Sequence, residues 1–75
     1  MEKITLIQQG IDNSTTVIIE YVDAKGQRTV REIEPYEFKN DGVYGYCLDK
    51  QGIRLFKLAN IVGVDSTGNK FIKRY

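Results

Sequence analysis

The chain has no histidine, no tryptophan, a single cysteine and a single proline in its 75 residues. Lacking histidine, it lacks the commonest general base and zinc ligand, so acid–base or metal chemistry near neutral pH is disfavoured. One cysteine, Cys47, cannot form an internal disulfide, and a small unstapled domain fits a reducing compartment. No apolar run approaches the roughly 18 residues of a membrane span, and the N-terminus has no signal-peptide core. These absences point to a cytoplasmic protein without a membrane partner. What is present is ordinary for a globule: 41% hydrophobic and 28% charged residues. The length allows one domain, residues 1–75, with a stability on the order of 4–8 kcal/mol.

Net charge is +1 but unevenly spread. Residues 1–49 carry five bases against nine acids, whereas residues 50–75 carry six bases against Asp65 alone. A basic C-terminal third fits an anionic partner, and it equally fits lysines solvating a β-surface.

The hydrophobic period changes once. Ile4, Ile7 and Ile11 stand at helical spacing, which predicts an amphipathic helix over about 3–13, ended by Asn13 and Ser14. Gly10 weakens that helix unless a close contact requires the missing side chain. From residue 15 the period is two. Val17, Ile19 and Tyr21 take one face of a strand over 16–22, and further strands are expected at 27–34, 36–39 running into 43–48, 53–58, 61–64 and 69–74. Three turns share the pattern Asp-x-x-Gly: Asp23–Gly26, Asp49–Gly52 and Asp65–Gly68. Each predicts a hairpin with its glycine at positive φ, and Asn40-Asp41-Gly42 marks one more. Pro35 marks a bend. The fold class is therefore mainly β with one short N-terminal helix, a five- to six-stranded antiparallel sheet curled into a small barrel over about 15–75. Ile7, Ile11, Ile19, Cys47, Ile61 and Val64 are the expected core.

In order along the chain stand "IIEY" at 18–21, "KG" at 25–26, "REIEP" at 31–35, "GYC" at 45–47, "RLFKLANI" at 54–61 and "VGV" at 62–64. Over about residues 4–65 this series resembles the WYL domain, a ligand-binding module of bacterial regulators. The resemblance implies a small barrel of the Sm-like or Src-homology-3-like kind. Asp41, Gly42 and Val43 stand where that family has its Trp-Tyr-Leu, Lys57 replaces an arginine, and Ala59-Asn60 replace an aspartate–arginine pair. The family's usual helix-turn-helix has no counterpart here, so a standalone barrel is expected rather than a complete repressor.

The family's ligand-contacting positions are basic and aromatic, and the resemblance carries five of them to this chain: Arg54, Phe56 and Lys57, with Tyr44 and Tyr46 on the neighbouring strand. Arginine holds a phosphate by its fork, and tyrosines stack nucleobases, which makes single-stranded nucleic acid or a nucleotide the expected ligand. The same residues have plainer readings. Phe56 suits a core, and Arg54 suits a pair with Glu20, Glu32 or Glu34. Cys47, mid-strand without a histidine, reads as a small buried hydrophobe. The C-terminal "NKFIKRY" interleaves bases with aromatics and reads as a nucleic-acid groove or as a guarded edge strand. No phosphate-binding glycine loop, calcium loop or catalytic constellation is present, so no enzyme activity and no cofactor are expected. The remaining alternative is a module that binds a protein partner or a second copy through an edge strand.

Overall fold

The helical stripe at the N-terminus becomes helix α1, Glu2–Asn13, in the computed structural model, which describes residues 2–74. Ile7 is fully buried, Ile11 is packed against the core, and Ile4 turns partly to solvent. Gly10 is buried against the sheet, where a Cβ would stand 2.9 Å from the Thr15 carbonyl oxygen and 3.0 Å from the Pro35 ring. The missing side chain thus allows the helix to lie on the sheet. Ser14, with φ 54°, ends the helix in the left-handed region. Lys70 donates to the Asn13 carbonyl (3.0 Å), a cation where the helix dipole is negative.

Five antiparallel strands follow: β1 Thr15–Val22, β2 Arg28–Lys39, β3 Gly42–Cys47, β4 Gly52–Lys57 and β5 Ile61–Lys70, arranged β4-β3-β2-β1-β5. A 3-10 turn, Leu58–Asn60, carries the chain from β4 to β5 across the two ends of the order. Lys3 secures that crossing by donating to the carbonyls of Leu58 and Ile61, both at 2.8 Å. The sheet curls until Tyr21 of β1 meets Phe56 of β4 edge to face, at 5.3 Å between ring centroids. Inside the curl lie Ile7, Val17, Ile19, Ile33, Val43, Cys47, Phe56 and Ile61. Of the expected core, Ile7, Ile19, Cys47 and Ile61 are fully buried, while Ile11 and Val64 pack at its margin.

Three expectations are corrected. Residues 36–39 belong to β2, which runs through Pro35 with a register shift between Pro35 and Glu37. The bend is therefore a bulge inside one strand. Gly26 and Gly68 have positive φ, but at the β3–β4 turn the left-handed residue is Gln51 (φ 55°), not Gly52. No separate strand forms at 69–74: Asn69 and Lys70 end β5, and 71–74 have no regular secondary structure. Asp65–Gly68 lies within β5, and after a register shift between Val17 and Thr15 the strand pairs again, Lys70 with Thr15.

Candidate functional site

Register decides which side chains share a face. On β3 and β4 the pairs are Val43↔Phe56, Tyr44↔Leu55, Gly45↔Arg54, Tyr46↔Ile53 and Cys47↔Gly52. Directly paired residues point to the same side. Arg54 and Phe56 therefore lie with Val43 and Cys47 on the inner face, and Tyr44, Tyr46 and Lys57 lie on the outer one. The five residues singled out in the sequence form two groups, and Arg54 does not meet the tyrosines.

On the inner face a cleft of about 320 Å³ opens at one mouth of the curl, lined by Tyr21, Asp23, Thr29, Arg31, Arg54, Leu55 and Phe56. Phe56 is 3% exposed and forms its floor with Tyr21, so the phenylalanine is core and cleft wall at once. Arg54 is exposed and has no hydrogen-bond or ion-pair partner among the described residues. None of Glu20, Glu32 and Glu34 pairs with it: Glu20 takes Arg28, Glu32 takes Thr16, and Glu34 takes Arg74. Arg31 reaches the same cleft from β2, its side chain only 19% exposed, and holds Asp49 at 3.0 Å. Alternation back from Ile33 carries the signal for it: Arg31 and Thr29 must share the inner face of β2. Asp23 sits at the rim with its carboxylate occupied, accepting from the amides of Lys25 and Gln27. The cleft combines two guanidiniums with an aromatic floor, a chemistry suited to an anion carrying a flat apolar group.

The outer face has a different character. Tyr44 pairs with Glu37 and has the Lys39 ammonium 5.6 Å from its ring centre. Tyr46 pairs with Glu34 and lies under the Arg74 guanidinium at 4.1 Å. Lys57 is exposed at the far end, opposite Gly42. Glu34 is 3% exposed and accepts Nε and Nη2 of Arg74, at 3.2 and 3.0 Å. The Tyr36 hydroxyl donates to the same carboxylate at 2.7 Å. Sequence reasoning missed this cluster, because Arg74 and Glu34 lie 40 residues apart and no strand joins them.

Burial and the bond to Glu34 push the Tyr36 phenol up to about 12 from its usual 10. Its neutral form therefore stabilises the fold fully below pH 10, and that contribution fades as the pH rises toward 12. The alkaline absorbance titration should show a tyrosine step near pH 12 that disappears in Tyr36→Phe. Over the same window the wild type should lose about 2 kcal/mol of stability that the variant does not lose.

Cys47 is fully buried and unpaired. Among the described residues, no three carboxylate or thiol groups come together to hold a metal ion. No helix among them is long and apolar enough to cross a membrane.

The WYL domain family model matches residues 2–66. The chain aligns with the structure of the proteasome accessory factor B/C (PafBC) of Arthrobacter aurescens with a TM-score of 0.83 and 22% identity. That alignment covers 92% of this chain and 12% of PafBC, and at this identity it speaks for the fold. None of the curated proteins compared matches the chain. The chain belongs to the WYL domain family.

Proposed function

From this membership and the inner cleft, we propose that the domain is a non-enzymatic, ligand-sensing module with a regulatory role. Its ligand is anionic, a single-stranded nucleic acid or a nucleotide, held between Arg54 and Arg31. The observation that carries this reading is the exposed, unpaired guanidinium of Arg54 beside Arg31, above the Tyr21–Phe56 floor. An unpaired arginine has its whole donor fork free for phosphate, whereas the outer tyrosines are already attended by Lys39 and Arg74.

Fluorescence anisotropy with a labelled single-stranded oligonucleotide tests it, from about 20 mM salt, where screening is weak, upward. Affinity should fall steeply with salt, through counterion release. Arg54→Ala should weaken binding about tenfold or more and lower the log–log slope by about 0.7. Tyr44→Ala, on the opposite face, should leave both nearly unchanged. No binding of oligonucleotide or nucleotide by the folded wild type at low salt would overturn the proposal.

A second reading has its own support. The outer edge of β4 is unpaired in the sheet order and carries Leu55 at 40% exposure, beside Tyr44 and Lys57. Such an edge fits a protein partner that adds a strand, or a second copy of this chain. Binding of that kind should respond little to salt.

A further inference from the structure

The outer face of β2 and β3 holds a site unrelated to the cleft. Its fixed half is built on two paired strands: Glu34 and Tyr36 on β2, and Tyr46 directly opposite Glu34 on β3. Its other half is a strap, residues 71–74, which has no regular secondary structure. The Phe71 amide makes a last backbone bond to Ser14 (2.9 Å), and the Phe71 ring rests 5.7 Å from that of Tyr36. Ile72 is 90% exposed. The Arg74 amide then donates to the Tyr36 hydroxyl (3.3 Å), and its guanidinium enters the fixed half.

The fixed half meets each demand of a guanidinium. The Glu34 carboxylate takes two parallel N–H groups, an arrangement that the planar fork of arginine matches and an ammonium does not. The Tyr46 ring lies beneath the guanidinium plane. Departure of Arg74 leaves the Glu34 carboxylate with the Tyr36 hydroxyl as its remaining side-chain partner among the described residues, and its two oxygens then have room for another donor fork. On the strap side the Arg74 side chain is 46% exposed, so a competing cation can reach its contact with Glu34.

We propose that Glu34, Tyr36 and Tyr46 form an arginine-binding pocket, filled here in cis by Arg74, that receives a partner protein's extended segment when the strap withdraws. The recognised pattern is the one the strap displays, an aromatic residue three positions before an arginine. The aromatic ring goes to Tyr36 and the arginine to Glu34 and Tyr46. Wild type is self-occupied, so the pocket is masked until competition or movement of the strap exposes it.

The test uses the full chain carrying Phe71→Ala and Arg74→Ala, which empties the pocket and leaves the strands intact. An acetylated hexapeptide copying residues 69–74 is titrated while the amide resonances of Glu34, Tyr36 and Tyr46 are followed. The peptide should shift them saturably, at least tenfold more tightly than in wild type. Lysine in place of the peptide's arginine should weaken binding at least tenfold, and adding Glu34→Gln to the protein should abolish it. Absence of a saturable shift in the double variant would overturn the proposal, as would equal binding of the arginine and lysine peptides. Should the double variant not fold, Arg74→Ala alone with N-acetylarginine amide decides the matter by the same resonances, with N-acetyllysine amide as the comparison.

Discussion

Replacing Gly45 with alanine is expected to unfold the domain or cost it at least about 3 kcal/mol. Gly45 is buried on β3, paired with Pro35 on one side and Arg54 on the other. A Cβ there would overlap the Glu34 carbonyl oxygen and stand 3.1 Å from its carbon and 3.2 Å from the Pro35 Cα. All three obstacles are backbone atoms, which a rotamer change cannot move. The methyl group can be admitted only by parting β2 from β3, where the bulge after Pro35 already interrupts the ladder. Urea denaturation, with amide dispersion by NMR as the check on folding, measures the loss. A well-dispersed variant with the wild-type midpoint would show that these strands part freely.

Ile33→Ala should cost about 3 kcal/mol, a large share of what a chain this short can hold. Ile33 is fully buried on the central strand and pairs with Val17 on one side and Cys47 on the other, both equally buried. These three side chains form a row across β1, β2 and β3. Truncating the middle one leaves a void bounded by strands on either side, where collapse is difficult. Val30→Ala, on the same strand but 69% exposed, should change stability by less than about 0.5 kcal/mol. The same urea series compares them, and equal losses would contradict the assignment of inner and outer faces.

Periodicity made the helix and the inner row of β1 legible, because a burial pattern is written locally in which residues are apolar. Turn chemistry carried less far. Asp23–Gly26 closes as expected, with the Gly26 amide bonded to the Asp23 carbonyl at 2.9 Å. Asp65–Gly68 has the same pattern, yet the chain does not reverse there. A tetrapeptide sets a local preference, and here it yields a bulge, with Gly68 at φ 79°, after which Lys70 pairs with Thr15 along the free edge of β1.

For the candidate site, the sequence supplies residue types but not their arrangement. Arg54, Tyr44 and Tyr46 would share one face if Tyr46 rather than Gly45 stood opposite Arg54. A shift of one residue at the β3–β4 turn separates those outcomes, and nothing in "CLDKQG" distinguishes them reliably. The left-handed Gln51 is part of the turn that fixes the observed register. Arg31 was open to the alternation argument. The Glu34–Arg74 contact was not, since it depends on where an irregular segment comes to rest.

The position of β1 has a consequence for how the chain reaches this state during synthesis. β1 emerges second, after α1, and its first neighbour β2 follows across one short turn. Its other edge waits for residues 61–70, the last of the five strands to be made. Until then a row of unsatisfied amides and carbonyls runs beside Val17 and Ile19, and α1 lacks the β5 surface on which it also rests. That interval is when two nascent chains on one message are most apt to pair edge to edge.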